Sequence, residues 1–272
     1  MEVAGPGVPR ALDEAVKKLL APLGGMSAFV KPGQKVLIKP NMGFPSPAEQ
    51  RATTSPALLA ALVKQVLACR PAQVLVADNP VRRPEACLRS NGIKEALAGL
   101  DVKIVMPTAS AMFKRVEVPR GKSLRRVEVF RYALEADVHI SVPVAKSHNA
   151  AGYSGSLKGS MGMVLDRESF HSRYDLNQAI ADLGTILRPQ LTVLDGLQVM
   201  TTDGPAGPGE LVTTNTLVAG RDQVAVDARG VELAPLYGRR IRARQIKHLR
   251  LSSEMGLGKL VLPPERVTRI TM

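Results

Sequence analysis

The sequence predicts an α/β protein: a layered, largely parallel sheet with helices on both faces and a β-hairpin insertion. Three observations predict it. Short apolar runs at 35–39, 74–77, 102–106, 138–144 and 191–194 are interspersed with segments of helical spacing, the order of βαβ units. Several of these runs stop at polar residues followed by proline or glycine, as the carboxyl ends of parallel strands do. Between 113–118 and 124–130, two strand-like stretches flank Pro119-Arg-Gly-Lys122, which reads as a hairpin or edge insertion.

Taken in order, residues 11–23 place Leu12, Val16, Leu19 and Leu20 on one helical face. Pro32-Gly33 turns the chain into a first strand, 35–39, that ends at Lys39, Pro40 and Asn41. The stretch holding Pro45 and Pro47 has no helical pattern and reads as a loop over the sheet edge. Ser55 then serves as N-cap and Pro56 as first-turn residue of a helix through residue 68. A buried strand at 74–77 ends at Asp78-Asn79-Pro80. Residues 84–100 are helical with a break at Asn91-Gly92, and 102–106 is a third strand. Val138, Ile140, Val142 and Val144 have the period of a half-buried strand that stops at Lys146. Residues 176–187 form an amphipathic helix, and 191–194 a strand ending at Asp195-Gly196. Three glycines and two prolines make 201–210 a loop. Residues 215–219 and 224–225 read as strand and turn, a helix starts at Asp227, and Gly256 and Gly258 mark a late turn. The 272 residues fit one domain, 1–272, and the change of pattern near residue 110 leaves open a division into two lobes, 1–110 and 111–272.

A net charge of +13 favours anionic partners such as phosphates, carboxylates or nucleotides. With 3% aromatic residues and no tryptophan, the base-stacking platforms of nucleic-acid binders are not expected. No uninterrupted apolar run of about 18 residues occurs, so no membrane span is expected. The N-terminal MEVAGPGVPR lacks the basic-then-apolar pattern of a secretory signal, and the expected location is the cytoplasm. Cys69 and Cys87 read as reduced structural thiols, although a homodimer could gather four thiolates for an iron–sulfur cluster on its two-fold axis.

The residues that carry chemistry cluster at strand ends: Lys39 and Asn41, Asp78 and Asn79, Lys146 and His148, and Asp195. In a parallel sheet such ends share one side. His148 follows a strand and precedes a glycine turn, a position suited to proton transfer or metal ligation. His171, in a polar segment, is a second candidate. His139 falls within a strand and reads as structural, and His248, in a basic helix, as a surface residue. On a helical wheel Gly155, Gly159 and Gly162 fall on one stripe, with Lys158 and Ser154 between it and the apolar face of Leu157, Met161 and Val164. Each glycine costs a helix about 1 kcal/mol against alanine, which makes sense where another backbone or a ligand must come close. Lys39, Asn41, Lys146, Ser154, Gly155, Lys158 and Gly159 are therefore the candidate cofactor- or anion-binding residues.

Five blocks, VLIKPN at 36–41, VPVAKSH at 142–148, SGSLKGSMG at 154–162, DGLQVMTTDGPAGPGE at 195–210 and LVAGRDQVAVDARG at 217–230, resemble the domain-of-unknown-function family 362. Many members of that family carry a cysteine-rich ferredoxin-like segment, which this chain lacks. The block from His148 to Lys158 is also similar to one in the nickel-pincer lactate racemase superfamily, where His, a short spacer and Gly-Phe-Ser-Gly-Gly-Pro-Lys keep the same spacing. Ser156 and Leu157 stand here in place of the second glycine and the proline. That resemblance implies an acid/base role for His148, a cofactor-anchoring role for Lys158 and a metal-ligating role for His171, with a nickel or other divalent metal as cofactor.

Three functions follow. The first is an enzyme acting on a small anionic substrate by proton transfer at His148, in its most concrete form a racemase or epimerase, with Asp195 and Asp203 orienting the histidine or joining His171 on a metal. The second is a dimeric iron–sulfur or other electron-transfer protein using Cys69 and Cys87. The third is a non-catalytic anion-binding module.

Overall fold

The computed structural model describes residues 1–272. In chain order its elements are β1 (Glu2–Ala4), α1 (Leu12–Leu20), β2 (Lys35–Pro40), α2 (Pro56–Leu67), β3 (Gln73–Ala77), α3 (Pro84–Ser90), α4 (Ile93–Ala96) and β4 (Lys103–Val105). The hairpin strands β5 (Phe113–Glu117) and β6 (Arg126–Phe130) follow, then α5 (Arg131–Glu135), β7 (Val138–Val142), β8 (Val144–His148), β9 (Gly152–Ser154), α6 (Ser156–Gly159), α7 (Ser169–Ser172) and α8 (Leu176–Leu183). The chain closes with β10 (Leu191–Met200), β11 (Leu211–Gly220), α9 (Gln223–Val231), α10 (Lys247–Glu254) and β12 (Arg269–Thr271).

One sheet runs β12-β1-β11-β10-β7-β2-β3-β4, with β8 beside β10 and β9 beside β8. Its centre, β10-β7-β2-β3-β4, is parallel, and the β1, β11 and β10 flank is antiparallel. The expected α/β class therefore holds, as a mixed sheet with a parallel centre. The separate β5–β6 hairpin is the expected insertion. Alternate residues of the central strands feed two cores, because side chains of successive residues face opposite sides. Val36 and Ile38 pack with α1, α2 and Ile93, while Leu37 packs on the other face with the β5–β6 hairpin, α8 and α9. A fully buried aliphatic side chain of this kind contributes roughly 1.5–3 kcal/mol, so two opposed layers hold the sheet rigid under the loops at its edge.

The structure departs from the sequence reading in three places. The 138–148 run is two strands, both buried along their whole length, interrupted at Pro143, which has no N–H to give a ladder. The run at 191–194 does not end at Asp195: β10 continues to Met200, with its register shifting between Gly196 and Gln198. Residues 224–225 are helical, because Asp222 accepts from the Ala225 N–H at 2.9 Å and opens α9. Strand β7 lies between β2 and β10, so one sheet takes strands from both sides of residue 110. No helix is long and apolar enough to cross a membrane.

Candidate functional site

Where the parallel strands end, a pocket of about 420 Å³ opens. The end of β2 brings Lys39 and the end of β3 brings Asp78, side by side because the two strands pair in register. The β8–β9 hairpin pairs Lys146 with Ser154 and His148 with Gly152. Alternation then puts Lys146, His148 and Ser154 on the pocket side, and Ser147 and Tyr153 on the other. Helix α6 contributes Lys158 and Gly159, the 41–44 loop Asn41 and Phe44, the residues leading into α7 Arg167 and Glu168, and α7 itself His171. Pro205 closes one wall.

The pocket is rich in positive charge. Lys39 is buried and its Nζ is 3.0 Å from Asp78 and 2.7 Å from the Pro40 carbonyl, to which it donates. Asp78 also accepts from the Met42 N–H at 2.7 Å, so this carboxylate is spoken for. Lys146 is fully buried without a carboxylate: its ammonium donates to the carbonyls of Ala52 and Pro205 and lies 4.8 Å from the centre of the Phe44 ring. Burial first, and Lys158 and Lys39 next, hold its pKa well below the ordinary lysine value. Arg167 donates to the carbonyls of Asn79 and Pro80. Lys158 has no hydrogen bond and no ion pair; burial, Arg167 and Lys39 bring its pKa down to about 8. Glu168, exposed at the rim, is the other carboxylate in the lining.

His148 is nearly buried, and its Nδ1 accepts from the N–H groups of Ala150 (3.2 Å) and Ala151 (3.3 Å). The proton of the neutral ring therefore sits on Nε2. Burial, then Lys158, Lys146, His171 and His248, push its pKa down to about 2. In this state His148 is a hydrogen-bond donor. The ring of His171 is parallel to it within 6°, with centroids 6.2 Å apart, at the exposed mouth.

The glycine stripe has three separate causes. A Cβ on Gly155 would lie 2.3 Å from Oδ1 of Asp227, and one on Gly162 would lie 2.0 Å from Oδ1 of Asp78. Gly159 alone faces open space, with nothing within 4 Å of such a Cβ. The segment is also shorter than the wheel implied, an α-turn over Ser156–Gly159 followed by a 3₁₀ turn over Ser160–Met163. Asp227, buried on α9, accepts from the N–H groups of Ser156 (2.7 Å) and Leu157 (2.8 Å), and burial raises its pKa to about 7. These amides are thus committed to the protein, and Lys158 is held over the pocket from behind.

Of the expected site residues, Lys39, Asn41, Lys146, His148, Ser154, Lys158, Gly159 and His171 line this one pocket. Gly155 does not; it lies beneath, against Asp227 and Tyr153. Asp195 does not either. It is wholly buried within β10, paired with Arg51 and accepting the Ser55 N–H at 2.7 Å, where it anchors the start of α2. Asp203 is exposed on a shallow surface with Thr202, Pro208, Glu210 and Tyr237. His171, Asp195 and Asp203 therefore do not form a metal site, and no three His, Cys, Asp or Glu side chains gather where they could hold an ion. His248 is not a surface residue: it is fully buried, with neither ring nitrogen hydrogen-bonded and the Ala151 backbone close by, and its pKa falls to about 3. Cys87 is fully buried in the core, so it cannot meet a second copy at a surface two-fold axis. Arg167 and Phe44 were not foreseen. A single arginine after a glycine-spaced segment, or a phenylalanine in a proline-rich loop, carries no periodic signal.

Residues 36–232 match the family model described as Domain of unknown function (DUF362), well over half of the chain. The chain belongs to this family. This DUF362 protein is similar to Thylakoid-associated protein sll1697 of Synechocystis sp., 27% identical over 221 residues that cover 78% of this chain and 67% of that one. Among solved structures it is similar to a Thermotoga maritima protein (TM-score 0.50, 13% identity, 89% of this chain and 59% of that chain). It is also similar to the lactate racemase apoprotein of Thermoanaerobacterium thermosaccharolyticum (TM-score 0.49, 16% identity, 86% and 57%). The chain thus spans less than three fifths of either solved structure. At such identities the Thermotoga likeness is one of fold, and it agrees with the α/β sheet of the DUF362 chain.

Proposed function

We propose that this protein is an enzyme that acts on a small anionic substrate in the pocket at the strand ends, by a racemase- or epimerase-like proton exchange. One observation supports this reading above the others. Lys146, Lys158, Arg167 and His148 converge on a single pocket in which Asp78 is already paired with Lys39. Apart from Glu168 at the exposed rim, such a cavity holds no unpaired negative charge, and a carboxylate or phosphate supplies it. A bound anion offsets the share of the pKa depression of His148 and Lys158 that neighbouring cations cause, while burial, the larger cause, remains. His148 donates from Nε2 to the substrate, and Lys158 is the group whose pKa suits it to give or take a proton near neutral pH. The nickel-pincer cofactor implied by the local resemblance would meet His148, His171 and Lys158 in the pocket but no set of three His, Cys, Asp or Glu side chains, so the residues present do not fit a protein-held metal.

The test has two parts. Phosphate, lactate and other small hydroxy acids should raise the melting temperature of the wild type, and Lys158→Ala and Arg167→Ala should reduce that rise. Incorporation of solvent deuterium into a panel of hydroxy and oxo acids should follow wild type and not His148→Ala. A His148→Ala protein with full exchange activity would remove His148 from the mechanism. A binding response without any exchange would leave the non-catalytic anion-binding module as the reading.

A further inference from the structure

Three lysines line the pocket, and they are in different chemical states. The Lys39 ammonium is fixed between Asp78 and the Pro40 carbonyl. The Lys146 ammonium is fixed by two carbonyls and the Phe44 ring. Both amines are buried and held by these contacts, so neither is free to approach a carbonyl carbon. Lys158 makes no such bond, is partly exposed to the cavity, and stands beside Gly159, where the space next to the backbone is open. We propose that Lys158 forms an imine with a carbonyl carbon of the substrate, which makes the ligand class a small 2-oxo acid or an aldehyde bearing a carboxylate or phosphate. The proposal rests on the anion reading above and adds the carbonyl to it.

The surroundings favour that chemistry. A lysine surrounded by other cations and removed from water is the ordinary route to a nucleophilic amine. With its pKa near 8, about one amine in four is neutral at pH 7.5, against about one in a thousand for an ordinary lysine. The neutral nitrogen adds its lone pair to the carbonyl carbon, and the oxygen takes the proton that the nitrogen gives up. The hydroxyl of that adduct accepts one proton from solvent and leaves as water while the nitrogen lone pair closes the C=N bond. Amine, carbonyl and one proton thus become iminium and water, with no change of oxidation state. The iminium draws electrons from the adjacent C–H bond, which is the bond a racemase or epimerase must ionise.

Glyoxylate, the smallest anionic aldehyde, is the probe. The full chain is treated at pH 7.5 with glyoxylate and sodium cyanoborohydride, which reduces imines in place, and read by intact mass and peptide mapping. Labelling of Lys158 should exceed that of surface lysines by on the order of tenfold, the direction set by its larger neutral fraction. Added phosphate should suppress labelling at Lys158 only, and Lys158→Arg, which keeps the charge, should lose the preferred adduct. Labelling spread evenly over surface lysines, or no phosphate protection of Lys158, overturns the imine. The melting-temperature response of the wild type to phosphate separates the two ideas. If it persists without preferred labelling, the imine fails and the anion site stands; if it is absent, both fail. Phosphate protection is measured on the wild type, so the test does not depend on the variant folding.

Discussion

A methyl group on Gly162 would come within 2.0 Å of Oδ1 of Asp78 and 2.8 Å of the Lys39 ammonium. The backbone of the glycine segment is thus packed directly onto the only buried ion pair in the pocket. Two glycines three residues apart should accordingly respond in opposite ways. Gly162→Ala forces the pair apart or the backbone away, an overpacking cost of about 1–3 kcal/mol, seen as a lower urea midpoint. Gly159→Ala meets no atom and gains up to about 1 kcal/mol of helix propensity, but it narrows the pocket and should weaken phosphate protection. Equal destabilisation by both would mean that Gly159 is packed and not open.

Asp195 separates structural from functional carboxylates. Asp195→Asn leaves Arg51 buried opposite a neutral amide and weakens the anchor of α2. Breaking a buried pair of this kind costs about 3–5 kcal/mol. Phosphate-dependent stabilisation of the folded fraction should be unchanged, since Asp195 is not part of the pocket lining. Loss of anion binding with intact stability would return Asp195 to the site.

Three buried histidines make the fold acid-sensitive. His139, His148 and His248 have pKa values of about 4, 2 and 3 in the folded chain, each below the ordinary 6.5, with burial as the leading cause. The unfolded chain takes up these protons first, so stability falls as pH drops below about 6.5 toward the folded values. Each group adds up to about 1.4 kcal/mol per pH unit to that slope. His248→Leu removes one such group, and since neither ring nitrogen is hydrogen-bonded it should hold stability at pH 7.5 while flattening the loss between pH 6 and pH 4. Urea titrations at several pH values measure both; an unchanged slope would place His248 in contact with solvent.

Asp227 acts on Lys158 at a distance. Asp227→Ala leaves the Ser156 and Leu157 N–H groups buried without acceptors, a cost of about 1–3 kcal/mol for each such group. It should also lower the phosphate protection by letting α6 shift, without removing any charge that faces the pocket. Asp227→Asn retains one acceptor oxygen and should fall between the two, by melting temperature and by phosphate response alike.

Much of the fold could be read from local pattern, because parallel strands buried on both faces write themselves as short apolar runs. The convergence of Lys39, Lys146, His148 and Lys158 followed from the rule that such strands end together. Asp78 and Asp195 show where the reading stops. Both follow an apolar run, yet one borders the pocket and the other is sealed inside β10. The difference lies in a register shift and in Arg51, 144 positions away, neither of which a strand's own residues announce. His248 failed for the same reason. Its neighbours Lys247 and Arg250 are exposed and basic, but α10 packs against α8 and α9, and the histidine falls on the covered side. The end of β7 was misplaced because Val144, beyond Pro143, continues the same alternation.

Lys146 sits at full depth with carbonyl oxygens and a benzene ring for company, and no carboxylate. If the anion reading is right, a cleft wired in this way takes its counter-ion from the medium, and attraction of that kind weakens as ionic strength rises. Any search for its natural ligand is then a competition experiment from the outset. On the proposed reading, phosphate, sulfate and citrate buffers should compete for the pocket, and a zwitterionic buffer at low salt is the condition in which a native ligand would be noticed most readily.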